Sequence, residues 1–318
     1  MTPDQPGTGA RSAVRLSVRG VVQGVGFRPF VYSLAQRHGI VGWVRNTSAG
    51  VEILAEGTPA AVDAFATALP LEAPPRSHIA EYERVAVEPD GDATATGAEP
   101  AAQAARAFVI LESAVDPDAY QLVSPDIATC DDCRRELLDP GDRRHDYPFT
   151  NCTNCGPRFT IIEDLPYDRE RTTMRQFPLC PACRAEYEDP GDRRFHAEPN
   201  ACPVCGPRVR LLRRAADGAE IELAAGGEAD PAAPIRAAAE LLRGGEILAV
   251  KGLGGFHLAC DATDGATVRR LKERKRRPHK PLAVMFADLE QLREHCAVDE
   301  AEAALLLSPE HPIVLLDW

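Results

Sequence analysis

Gly20-Val21-Val22-Gln23-Gly24-Val25-Gly26-Phe27-Arg28 stands between a stretch of strand alternation and a stretch of helical spacing. Glycines at three positions let the backbone turn successive N–H groups toward one point, which makes an anion nest. A helix starting after the loop adds the positive end of its dipole. Arg28 carries a permanent, fork-shaped charge suited to gripping a phosphate through two N–H groups. From chemistry alone, a glycine-rich turn with a surface arginine reads as well as a phosphate loop.

Working outward, Arg15-Leu16-Ser17-Val18 reads as a strand and residues 30–37 as a helix. Residues 42–45 and 51–55 read as a hairpin across 46–50. A second helix over 59–69 has Thr58 as N-cap and Pro59 in its first turn. Strands follow at 79–87 and 108–111. This β-α-β-β-α-β order with one further strand predicts a ferredoxin-like sandwich. In that topology the first loop and the end of the 42–46 strand approach each other, so Arg28 and Asn46 could face one bound phosphate; alternatively, Asn46 is a turn residue ahead of Gly50. Residues 1–12 read as a disordered tail, 89–107 as a flexible insertion rich in Ala, Gly and Thr, and 113–124 as a connection.

These residues resemble the acylphosphatase family. Its signature is a Gly-x-Val-Gln-Gly-Val-x-Phe-Arg loop followed by a Gly-x-Val-x-Asn strand, here Gly42-Trp43-Val44-Arg45-Asn46. The resemblance implies that Arg28 and the loop amides hold the phosphate while Asn46 orients the attacking water. No covalent nucleophile is needed, and catalysis comes from positioning and electrostatic stabilisation.

Eight of the ten cysteines form four Cys-x-x-Cys pairs: Cys130/Cys133, Cys152/Cys155, Cys180/Cys183 and Cys202/Cys205. The gaps between successive pairs are 18, 24 and 18 residues, so every pair recurs 50 residues on. The flanks recur too, Asp139-Pro140-Gly141-Asp142-Arg143-Arg144 as Asp189-Pro190-Gly191-Asp192-Arg193-Arg194. Each Cys-x-x-Cys turn offers one edge of a sulfur tetrahedron, and two turns complete it. A duplicated four-cysteine, zinc-ribbon-like unit with two structural zinc ions is predicted, the ligands pairing within each repeat. An interleaved pairing breaks the symmetry; a disulfide framework belongs to small secreted domains, and four copies in register argue against a redox pair.

Charge narrows the role of this unit. The chain has 318 residues and a net charge of −12, so its surface as a whole repels nucleic acid and anionic membrane. Residues 125–210 carry 13 Arg against 16 Asp and Glu, a net of −3 that eight thiolates and two zinc ions take to −7. Zinc modules that bind DNA usually present a basic face, so a structural role is expected. The polar N-terminus has no apolar signal core and no stretch reaches the length of a membrane span; a cytoplasmic, thiol-reducing setting follows as an expectation.

After a predicted linker at 214–230, an α/β pattern begins: a helix over 235–243, a strand at 247–250, a helix near 266–276 and a strand at 282–286. Lys251-Gly252-Leu253-Gly254-Gly255-Phe256-His257 follows the first strand, and residues 269–280 hold eight Lys or Arg and one Glu. Such a run suits a polyphosphate or an RNA backbone, or is a solvated helix face. It resembles the Lys-x-Arg-Pro element of the YrdC-like family, which binds ATP and forms carbamoyl-adenylate-type intermediates. The resemblance implies phosphate contacts from Lys275 and Arg277, with Lys251 and His257 as further candidates. Some members of that family bind double-stranded RNA. Cys260 and Cys296, outside the repeat, are expected to be small buried residues.

The expected organisation is α+β and multidomain: an acylphosphatase-like domain over 13–112, a double zinc domain over 125–210 and a partial, truncated α/β YrdC-like nucleotide-binding domain over 231–318. Three motif sets in this order resemble the HypF family of carbamoyltransferases, which act in nickel–iron hydrogenase maturation. The resemblance extends to Arg193-Arg194-Phe195-His196-Ala197-Glu198-Pro199-Asn200-Ala201-Cys202-Pro203. It implies cleavage of carbamoyl phosphate at the first site, ATP-dependent adenylation of the carbamate, and transfer to the C-terminal cysteine of HypE. The run Pro312-Ile313-Val314-Leu315-Leu316-Asp317-Trp318 is apolar and strand-like, and such runs usually continue into a packed element; against the family, about half of the YrdC-like domain and the whole transferase domain are missing, as expected of a fragment or a truncated gene product. A stand-alone acylphosphatase and a zinc-ribbon RNA-binding scaffold are the rival readings.

Overall fold

The strand pattern around the glycine loop builds one sheet. The computed structural model describes residues 11–89, 107–114, 124–252 and 254–317. Most of the expected tail, insertion and 113–124 connection lies outside the described residues, as does Leu253. The chain divides into two compact units, one of Met1–Asp126 with Asn151–Asn200, the other of Ile127–Thr150 with Ala201–Trp318.

In the first unit, β1 (Ser12–Val21) buries alternate residues, Val14, Leu16 and Val18. It pairs antiparallel with β3 (Gly50–Gly57) and β4 (His78–Val87). β2 (Val41–Thr47) pairs antiparallel with β3 and parallel with β5 (Phe108–Ile110), giving the order β4-β1-β3-β2-β5. Helices α1 (Phe27–His38) and α2 (Pro59–Leu71) cover one face with Val31, Leu34, Val62, Phe65 and Leu69. Each such side chain contributes about 1.5–3 kcal/mol by leaving water. This is the ferredoxin-like sandwich expected. Two boundaries move. β1 begins at Ser12, inside the expected tail, and α1 begins at Phe27 rather than residue 30, which puts Arg28 in its first turn.

The 50-residue repeat is structural. Helix α3 (Asp131–Leu138) follows Cys130, and α4 (Pro181–Glu188) follows Cys180. Asp139 and Asp189 each accept an N–H bond at 2.8 Å from the glycine two residues on. Asp142 and Asp192 each accept one at 2.7 Å from Arg144 and Arg194. Both arginines are buried. Arg144 Nε donates to the Ala201 carbonyl at 2.9 Å, and Arg194 Nε to the Asn151 carbonyl at 3.1 Å. Each repeat's arginine thus holds the carbonyl that precedes the other repeat's second cysteine pair.

In the second unit, the expected linker at 214–230 is overturned in part. β6 (Arg210–Arg214) and β7 (Glu220–Ala225) form a hairpin across Asp217-Gly218, because Leu212, Ile221 and Leu223 supply strand alternation that the Ala/Gly/Glu composition hid. Helix α5 (Ala233–Arg243) packs against β6 and β7. β8 (Leu248–Lys251) and β9 (Phe256–Ala259) form a second hairpin, followed by α6 (Gly265–Arg274), α7 (Leu289–Arg293) and α8 (Glu300–Leu306). The strand expected at 282–286 does not form. Those residues have no ladder partner, and Met285 is 96% exposed. Cys260 and Cys296 are half-buried rather than buried, since little packs over the ends of such short elements.

Candidate functional site

The glycine loop is pinned at its centre by Gln23. Its Nε2 donates to the Thr47 and Gly50 carbonyls, both at 2.8 Å, which draws the loop to the end of β2. Its Oε1 accepts the Tyr167 N–H at 3.0 Å. Gly24 has φ 72°, and a Cβ there would sit 2.8 Å from the Tyr167 ring. Gly26, φ 76°, is the N-cap of α1, and a Cβ there would press on Thr153 at 3.2 Å. Both positions need glycine for conformation and for space. Tyr167 is buried.

Arg28 and Asn46 meet beside this loop. With the Asn46 amide turned to suit its neighbours, its oxygen accepts from Arg28 Nε at 3.2 Å and Nη2 at 3.3 Å. Arg28 Nη2 also lies 3.2 Å from Glu198 Oε1, and Nη1 lies 3.5 Å from Asp168 Oδ1. Glu198 is fixed on its other side by the Tyr187 hydroxyl, which donates to Oε2 at 2.6 Å. Arg169 Nη1 donates to the Glu198 and Asn200 carbonyls at 2.5 and 2.9 Å, and Nη2 to the Phe177 carbonyl at 2.7 Å. Arg28, Asn46 and Glu198 are all buried.

Burial dominates the protonation equilibria here. It raises the Glu198 carboxyl to about 7, although Arg28 and the Tyr187 hydrogen bond pull the other way. Burial and, less strongly, the Arg28 charge lower His196 to about 3, leaving it neutral. Tyr187 and Tyr167 are raised by burial and then by Glu198, so both stay protonated.

The eight cysteines gather into the two sets the spacing predicts: Cys130, Cys133, Cys152 and Cys155, and Cys180, Cys183, Cys202 and Cys205. Within each set one ligand atom per residue lies within 4.8 Å of the others. The Cys152–Cys155 sulfurs are 4.0 Å apart and the Cys202–Cys205 sulfurs 3.8 Å. A tetrahedron with Zn–S bonds of about 2.3 Å has edges near 3.8 Å, whereas a disulfide is about 2.05 Å. Both clusters fit structural zinc. Asn200 Nδ2 donates to the Cys183 carbonyl at 3.0 Å and braces that turn.

The four nucleotide candidates fall on separate elements. Lys251 and His257 lie on the β8–β9 hairpin, with Lys251 Nζ 5.2 Å from the Phe256 ring centre. Lys275 caps α6, Arg277 follows it, and both are exposed. Among the described residues no hydrogen bond or ion pair joins the first two to the second two.

Gln23, Asp168, Tyr187 and Glu198 are the site residues that sequence reading passed over. Glu198 stood inside a quoted motif, but no local pattern pairs it with an arginine 170 positions away.

A loop of this shape on this sheet, joined to duplicated four-cysteine units, defines an acylphosphatase-type domain carrying zinc fingers. Family models agree: Acylphosphatase matches residues 14–95, HypF finger matches 129–162 and 179–212, and Telomere recombination, the Sua5, YciO and YrdC group, matches 240–317. The chain is 49% identical over 319 residues to Carbamoyltransferase HypF2 of Cupriavidus necator, covering 99% of this chain and 37% of that protein. It is 43% identical over 68 residues to the acylphosphatase of Staphylococcus haemolyticus, 21% of this chain and 76% of that one. The crystal structure of full-length HypF in its phosphate- and nucleotide-bound form superposes with a TM-score of 0.82 at 42% identity, covering 96% of this chain and 37% of that one. The chain belongs to the HypF family, and spans 37% of the length of the curated relative from C. necator.

Proposed function

We propose that this chain cleaves carbamoyl phosphate to carbamate and phosphate, as the first step of a carbamoyltransferase. The observation that carries the reading is the contact of Arg28 with Asn46 at the glycine loop. Phosphate would take N–H groups from the loop and the forked charge of Arg28. The bond from Arg28 fixes the Asn46 amide, which would hold a water for attack at phosphorus. Water forms the new P–O bond, the bond to the carbamoyl oxygen breaks, and carbamate leaves. Positioned donors in a site closed to bulk water supply the rate.

Carbamate decomposes in water, so delivery to a second, ATP-using site suits the chemistry. The YrdC-like segment supports this reading, with Lys275 and Arg277, and secondarily Lys251 and His257, as candidate phosphate contacts. Adenylation and transfer to the C-terminal cysteine of HypE belong to the whole protein. Domain limits of 13–112, 125–210 and 231–318 are part of the same proposal, as is a cytoplasmic setting. No helix among the described residues is long and apolar enough to cross a membrane.

The test is phosphate release from carbamoyl phosphate by the purified chain, with Arg28→Ala and Asn46→Ala alongside. Each variant is expected to lose about 10²-fold or more in turnover, the scale of removing one transition-state donor. Equal turnover in all three chains would refute the site. Carbamoyl-phosphate-dependent ATP–pyrophosphate exchange in the full-length protein tests the second step.

A further inference from the structure

We infer that Glu198, with Asp168 beside it, is a positioning residue that competes with phosphate for Arg28 and hastens release of the product. The inference rests on the reading of Arg28 as the phosphate-binding group. Two carboxylates already occupy that guanidinium, Glu198 at 3.2 Å and Asp168 at 3.5 Å. A site meant only to hold phosphate gains nothing from acids beside the buried Arg28, since like charges repel an incoming dianion.

Glu198 is built into place. Its second oxygen takes the Tyr187 hydroxyl, and its own carbonyl and that of Asn200 take Arg169. The carboxylate therefore holds its ground when a ligand arrives, and Arg28 is the group shared between two anions. The segment that carries both acids also seats Tyr167 against Gly24 and Thr153 against Gly26. A loop closed in on this side would hold inorganic phosphate long after cleavage unless something took Arg28 back. Burial favours the protonated form of Glu198, while Arg28 favours the carboxylate, so its charge on the free arginine is responsive to what else sits there.

Competition and simple bracing predict opposite signs. If Glu198 only braces Arg28, neutralising it loosens the arginine and weakens phosphate binding. If it competes, neutralising it tightens phosphate. The experiment measures the inhibition constant of inorganic phosphate for the wild-type chain, Glu198→Gln, Asp168→Asn and Arg28→Ala, with zinc content and melting temperature as checks. Phosphate should bind about tenfold tighter in Glu198→Gln, and tighter in Asp168→Asn, with kcat reduced more than kcat/KM. Unchanged or weaker phosphate binding in a zinc-loaded Glu198→Gln chain overturns the inference. Should Glu198→Gln fail to fold, Asp168→Asn decides by the same sign, its side chain being 28% exposed. Wild-type phosphate affinity retained in Arg28→Ala would bring down the phosphate-site reading as well; affinity lost there but not tightened in Glu198→Gln brings down only this one.

Discussion

Glu198 Oε1 lies 3.2 Å from Arg28 Nη2, joining residues 170 positions apart in one buried ion pair. One partner comes from the first turn of α1, just after the glycine loop, the other from the segment between the cysteine pairs. The segment between the cysteine pairs therefore supplies one wall of the proposed phosphate site.

The pair makes the site sensitive to pH in a defined direction. Glu198 is an acid raised from its ordinary range to about 7, so it is uncharged well below that value and charged above it. The groups facing it are Arg28, the Tyr187 hydroxyl, Asp168, the Arg169 backbone and Tyr167, and His196 nearby stays neutral. Competition for Arg28 should grow as pH rises. The ratio of phosphate inhibition constants, wild type over Glu198→Gln, is expected to climb between pH 6 and 8. Ionisation of phosphate itself cancels in that ratio; a flat ratio would contradict the assignment.

Arg28→Lys keeps the charge and discards the fork. Lysine has no Nε–H for Asn46 and cannot span Asn46, Glu198 and Asp168 together. Turnover should fall about 10²-fold, with the melting temperature little changed, and a steady-state assay beside a thermal melt reads both.

Gln23→Leu removes the bonds to the Thr47 and Gly50 carbonyls and takes away the acceptor of the buried Tyr167 N–H. Each unsatisfied buried group costs about 1–3 kcal/mol. The midpoint of denaturant unfolding should drop, and phosphate affinity should drop with it because the loop is no longer tied to the end of β2.

Metal removal separates the sandwich from the stapled segment. Elemental analysis should find two zinc ions per chain, and structural zinc contributes on the order of 10–16 kcal/mol to folding in small finger peptides. After chelation, amides of β1 and β3 should keep their protection from hydrogen exchange while those of α3 and α4 lose it. Phosphate affinity should shift as well, since Asp168 and Glu198 lose their anchorage. Unchanged exchange in α3 and α4 would contradict a structural role for the metal.

The sandwich was legible because its strands alternate and its turns carry Gly, Pro and Asn at the required positions. The two cysteine sets were legible because tetrahedral thiolate chemistry imposes a spacing, and the nearness of Arg28 to Asn46 because the topology brings the glycine loop to the end of β2. Glu198 and Asp168 were hidden by distance along the chain, since nothing local to either encodes a partner in α1. The β6–β7 hairpin was hidden by its Ala, Gly and Glu content. The 282–286 stretch failed for the opposite reason: apolar residues read as a strand, yet no neighbouring strand pairs with them among the described residues.

The most direct test of the account is to run carbamoyl phosphate cleavage by the purified chain in water enriched in oxygen-18 and weigh the phosphate released. Attack by a water at phosphorus, oriented by Asn46, predicts one heavy oxygen in each phosphate and loss of that product in Arg28→Ala. Phosphate released by the chain without the label would place the attack at the carbamoyl carbon and contradict the mechanism.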